Sequence, residues 1–150
     1  MLACIGVSWF LYNRASTTVN PFNAQLLASI DFPLYYPTRL PAGYHLDTKT
    51  VGKPQDGVVV LTINGPKNQN IYMSQEIRPG TFDFGGYYNN FSDKKLIVTE
   101  AGTIAVGHID NGYTSIGSLA TSRTWVIVNT KASVDLNQLT VLLESLATSH

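Results

Sequence analysis

His45, His108 and His150 are the only imidazoles in the chain, and Cys4 is its only thiol. A structural zinc site needs three or four nitrogen, sulfur or oxygen ligands converging on one point. No two of these histidines stand at a metal-ligand spacing, and His150 is the last residue, so a metal centre is not expected. A single cysteine excludes an internal disulfide and any CxxC redox or metal motif. Nucleophilic serine chemistry on a strand-to-helix elbow needs G-x-S-x-G, and the nearest string, Gly112-Tyr113-Thr114-Ser115-Ile116-Gly117, has the wrong spacing. The carboxylates Asp83, Asp93 and Glu100 read as loop or turn residues rather than as an acid–base pair. Phosphate-cradling and dinucleotide fingerprints are absent, Gly85-Gly86 being an isolated pair. The sequence therefore points away from an enzyme and implies no cofactor.

One segment has a composition suited to binding. Residues 81–91 hold Phe82, Phe84, Tyr87, Tyr88 and Phe91 together with Gly85 and Gly86. Tyr and Phe provide rigid, amphipathic contact area at low entropic cost. The stretch looks too glycine-rich for a helix and alternates poorly for a strand. Two readings follow. In one, these five aromatics form a recognition loop for an envelope protein, a glycan or a lipid. In the other, a long loop folds them back onto the sheet as a satellite core, and this second reading is the more economical.

The elements that would carry such a loop are mostly strands. Short apolar runs recur at residues 58–63, 71–77, 96–99, 103–109, 113–119 and 124–128, and residues 71–77 alternate with Ile71, Met73 and Ile77 on one face. The connections Asn64-Gly65-Pro66, Glu100-Ala101-Gly102 and Asp110-Asn111-Gly112 are short, and Asn-Gly favours a two-residue hairpin turn. Tight turns join antiparallel neighbours, since a parallel crossover needs a dozen residues or more. Pro33, Pro37 and Pro41 impose extended or edge geometry on the stretch before the first long strand. Residues 22–30 suit a brief helix with Leu26, Leu27 and Ile30 on one side. Near the C-terminus, Leu136, Leu139, Leu143 and Leu146 make the stripe of an amphipathic helix, with Ser133 as N-cap and Asp135 in the first turn. The expected fold is α+β: an antiparallel sheet of six or seven strands, packed by a C-terminal amphipathic helix, with a short N-terminal helix.

Composition narrows the partners. The 150 residues suffice for one domain with a substantial core. Charged residues make up only 13% and cancel, ten against ten, so there is no basic stripe to displace counterions and nucleic acid is not expected as a partner. Residues 1–12, MLACIGVSWFLY, carry no charge and precede Asn13-Arg14 and a polar stretch. Twelve helical residues span about 18 Å, short of the roughly 30 Å hydrocarbon core. Three readings compete: the outer end of a signal-anchor helix with Trp9 and Tyr12 at the interface and Arg14 at the exit; a buried element of the domain; or a lipobox remnant with Cys4 lipidated. The first fits best, because Ile5-Gly6-Val7 continues the apolar run where a lipoprotein turns polar. The division expected is residues 1–14 as a membrane-anchor remnant, 15–31 as linker and short helix, and 32–150 as a β-rich domain.

The string Tyr36-Pro37-Thr38-Arg39-Leu40-Pro41-Ala42-Gly43-Tyr44 resembles the P-x-x-L-P-x-G-Y opening of an uncharacterised family of bacterial extracytoplasmic domains. That family is similar to the sensory domains of anti-sigma regulators and to lipoprotein-carrier half-barrels. The strand with Trp125 followed by a leucine-striped helix is similar too, so the likeness spans residues 32–147, departing from the pattern at residues 82–91. The apolar start, the low charge and the missing catalytic set lead to the expectation of a non-catalytic binding or sensor module held outside the membrane by an N-terminal helix. The alternatives are a lipid or lipopeptide carrier of half-barrel type, which would need an apolar cavity, and an assembly subunit of a surface machine.

Overall fold

The computed structural model describes residues 16–110, 114–132 and 134–149. Residues 1–14, expected as the membrane-anchor remnant, the Asn111-Gly112 turn expected between two strands, and Ser133, expected as a helix cap, lie outside the described residues. The elements in chain order are β1 (Ser16–Thr17), α1 (Ala24–Ala28), β2 (Leu34–Pro37), β3 (Arg39–Leu40), β4 (His45–Gln55), β5 (Val58–Asn64) and β6 (Ile71–Ile77). They continue with α2 (Phe84–Tyr88), β7 (Ser92–Val98), β8 (Thr103–Ile109), β9 (Thr114–Ala120), β10 (Thr124–Thr130), α3 (Leu136–Glu144) and β11 (Leu146–Ser149). The fold is α+β, as expected, with a seven-stranded antiparallel sheet at its centre.

The sheet order is β4-β5-β6-β10-β9-β8-β7. Two meanders share it. The first, β4 to β6, is built from short turns. The chain then leaves β6, crosses to the far edge, and returns strand by strand until β10 pairs with β6, Val128 standing opposite Met73. The crossing from β6 to β7 spans four strand spacings, about 19 Å. Residues 78–91 make that journey, and this sets their fate below.

Alternation gives the sheet two different faces. On the inner face Val59, Ile63, Ile71, Val106, Val126 and Val128 are fully excluded from solvent. Helix α3 covers this face by packing on β8 and β9. Its Leu139, Leu142 and Leu143 are buried, whereas Leu136 is only partly so. The expected stripe ran on to Leu146, but the helix ends at Glu144 and Leu146 opens β11. Asp135, expected within the first turn, is itself the N-cap and accepts from Asn137 N at 2.9 Å. Gly117 makes the close approach of helix to sheet possible: a Cβ there would lie 2.7 Å from Leu143 Cδ1 and 2.9 Å from Val128 Cγ2.

A second layer completes the inner side. β11 pairs with β2, and β1 pairs with β3, both antiparallel. The proline-rich stretch therefore becomes two short strands beside the sheet, consistent with the extended geometry proline imposes. Leu26, Leu27 and Ile30 of the α1 region lean on the same core. The Pro41-Ala42-Gly43-Tyr44 turn has a structural role of its own: Gly43 adopts φ +83°, Tyr44 N donates to Pro41 O at 3.1 Å, and the Tyr44 ring lies against Gly65, where a Cβ would come within 2.3 Å of it. On β6 the expected inward set was Ile71, Met73 and Ile77. Ile71 and Met73 are buried, but Ile77 is 57% exposed at the strand end and Gln75 is buried in between.

Candidate functional site

The outer face of the sheet carries Trp125 and Ile127 on β10, Ile116 and Ser118 on β9, and Ala105 and Gly107 on β8. Residues 78–91 cross over this face. The aromatics Phe82, Phe84, Tyr87, Tyr88 and Phe91, expected as a loop, lie in and around a short helix, α2. The glycines did not prevent it. Asp83 caps the turn by accepting from Gly86 N at 2.9 Å, and a Cβ on Gly86 would stand 2.4 Å from an Asp83 carboxylate oxygen, so the cap needs glycine there.

The five aromatics divide by burial. Tyr88 and Phe91 are buried with Ala105 and Ile116 in a second core cluster, with Phe84 and Tyr87 packed partly buried against it. Phe91 sits on Gly107, where a Cβ would approach Phe91 Cβ to 2.7 Å. Phe82 remains 39% exposed. Its ring centroid lies 4.9 Å from Phe84, 5.6 Å from Tyr87 and 4.7 Å from Trp125. Phe84 and Tyr87 meet Trp125 edge-on at 5.2 and 5.5 Å, an arrangement the ring quadrupoles favour. Arg78 places its guanidinium 4.8 Å from the Phe84 ring centre while its Nη1 donates to Thr121 O at 2.8 Å, which fixes the cation over the ring. The satellite-core reading thus describes Tyr88 and Phe91, while Phe82, Phe84 and Tyr87 form the rim above them.

Beneath the rim lies one polar centre. Trp125 Nε1 donates to Ser118 Oγ at 2.9 Å, and Tyr88 Oη lies 3.4 Å from the same oxygen. Burial raises the Tyr88 pKa, opposed by the Ser118 contact and the Arg78 charge. Burial, then the neighbouring Tyr88, raises that of Tyr87.

Comparison of the chain with protein-family models, curated proteins and solved structures returned no match. The side chains themselves carry the functional reading.

The remaining reactive groups are dispersed. His45 stands exposed at the start of β4. His108 on β8 places Nδ1 3.2 Å from Asp93 Oδ2, a pairing the sequence did not suggest because it depends on the β7–β8 register and on Asp93 adopting φ +53°. Ser115, opposite His108 on β9, spends its hydroxyl on Val134, donating to the carbonyl at 3.1 Å and accepting from N–H at 2.9 Å. No Ser-His-Asp relay runs through that serine. Among the described residues there is no cluster of three or more His, Cys, Asp or Glu side chains suited to a metal ion. No helix among them is long and apolar enough to cross a membrane.

Proposed function

We propose that the chain is a non-catalytic, membrane-tethered binding or sensor module of the bacterial cell envelope, held on the extracytoplasmic side by its N-terminal apolar segment. The observation that carries the binding role is the aromatic rim: Phe82, Phe84 and Tyr87 stand partly open to solvent on a base of Trp125, Tyr88 and Phe91. Preorganised aromatic groups on a packed sheet lose little entropy when a partner covers them. The rim lies on the outer face of the sheet. β1, which follows the apolar segment, pairs with β3, whose Leu40 belongs to the inner-face core. A tether attached there leaves the rim uncovered by it.

An envelope protein, a glycan or a lipid headgroup region all offer surfaces that aromatic groups bind. The carrier alternative has less support. An acyl chain would occupy the space between sheet and α3, and the side chains there, Val106 and Val128 among them, have no solvent-sized void beside them.

Two measurements on cells producing the full chain test the proposal. External protease should degrade the domain in spheroplasts without lysis; protection until lysis sinks the extracytoplasmic placement. A photo-crosslinking residue at position 82 should yield an adduct that one at Glu100 does not. Equal labelling at both positions removes the rim as the binding surface.

A further inference from the structure

The described chain begins only just beyond the apolar segment. Asn13, Arg14 and Ala15 alone separate Tyr12 from β1. Tyr12 and Ser16 are four residue steps apart, at most about 14 Å even when fully extended. From Ser16 onward the backbone is fixed. Ser16 and Thr17 pair with Leu40 and Arg39, Thr18 N donates to Thr38 O at 3.3 Å, and the Thr18 hydroxyl donates to the Pro37 carbonyl. Asn20 Oδ1 then accepts from Phe22 N at 2.9 Å. Between these anchored points Val19 is held 83% exposed.

Val19 does not stand alone. It borders an open groove of about 480 Å³ lined also by Pro21, Leu40, Leu46, His45 and Thr17, with no carboxylate among its lining residues. A single exposed valine is ordinary on a protein surface. An exposed valine two residues past β1, beside an apolar groove free of acidic groups and seven residues from a segment read as membrane-embedded, is placed where it can reach a bilayer surface.

We infer that the rim formed by Val19 and this groove rests on the lipid surface of the bilayer that holds the N-terminal segment. The inference rests on the tether reading and deepens it. The short connection keeps β1 within about 14 Å of Tyr12, so the domain stays close to the headgroups. Val19 and the groove edge enter the boundary between headgroups and acyl chains, and the absence of carboxylates avoids repulsion from anionic lipid. The domain is thereby held in one orientation, with β1 toward the lipid.

Nitroxide scanning of the full chain tests this in vesicles of phosphatidylethanolamine and phosphatidylglycerol. Single cysteines are placed by Val19→Cys, His45→Cys and, as a distant exposed reference on edge strand β7, Val98→Cys, each with Cys4→Ala. The ratio of collision with oxygen to collision with a water-soluble nickel chelate should rise about threefold on vesicle incorporation at position 19, with a smaller rise at 45 and none at 98. If the protein floats with the vesicles while positions 19 and 45 remain as accessible to the chelate as 98, the lipid-facing rim is overturned and the tether stands. If the protein fails to float, both fall. His45→Cys supplies an independent reading should the substitution at Val19 disturb β1.

Discussion

Gln75 binds Tyr35 through both atoms of its side-chain amide. Oε1 accepts from Tyr35 N at 2.7 Å and Nε2 donates to Tyr35 O at 3.0 Å, with Gln75 only 1% exposed. The side chain stands in for a neighbouring strand. It satisfies the backbone of β2 on the side that β11 does not serve, and so fastens the small second layer to the central sheet. A buried polar group in an apolar row is costly unless fully paired, and here both ends of the amide are paired.

Gln75→Leu should therefore cost more than its gain in hydrophobicity returns. It strands the N–H and the carbonyl of Tyr35 in a buried site, at about 1–3 kcal/mol for each group left unpaired. Chemical denaturation should show a loss of about 3 kcal/mol. A change below about 1 kcal/mol would show that β2 finds other partners or is not held by this contact.

The approach of α3 to the sheet is set by Gly117 against Leu143. Gly117→Ala should destabilise by about 1–3 kcal/mol, because the new methyl overlaps Leu143 Cδ1 and Val128 Cγ2. Leu143→Ala should cost about 2–5 kcal/mol as a core truncation. The double variant should lose less than the sum, since the shortened side chain vacates the space the methyl needs. Strict additivity in denaturant titrations would refute this packing.

Ser118 anchors the base of the aromatic rim. Ser118→Ala leaves the Trp125 indole N–H without its acceptor and should destabilise by about 1–3 kcal/mol. It also removes a contact that lowers the Tyr88 pKa, so Tyr88 should ionise at still higher pH. Spectrophotometric titration at the tyrosinate band checks the second effect: an unchanged curve would mean the hydroxyls do not interact in solution.

Alkaline pH should weaken the fold. Tyr44, Tyr87 and Tyr88 all have pKa values raised from the ordinary 10.0, in each case chiefly by burial. Their neutral forms are favoured in the folded state, so the unfolded chain loses these protons first. The contribution is intact below pH 10 and is lost as pH rises through 10 toward the folded-state values. Thermal melts between pH 8 and about pH 11 should show midpoints falling above pH 10, with a smaller fall in Tyr87→Phe. A flat profile would contradict the burial of these phenols.

The local chemistry of the chain determined most of its element types, though residues 84–88 form a helix where a loop was expected and residues 146–149 a strand where the helix stripe was expected to run on. β-branched runs and Gly/Asn/Pro turns specified antiparallel hairpins, and the leucine spacing specified the last helix, because period-two and helical patterns follow directly from backbone geometry. Only the tertiary structure decided which side chains face inward where the pattern breaks. Gln75 is buried because the position of β2 relies on a polar clamp, a contact between residues 40 positions apart, and Ile77 is exposed because it ends β6. Likewise, composition showed that residues 81–91 are aromatic. That they bridge the sheet as a capped helix, burying Tyr88 and Phe91 and leaving Phe82 at the rim, follows from β7 standing at the far edge. Strand order is a long-range property, and no local pattern encodes the 19 Å or so that this segment must cross.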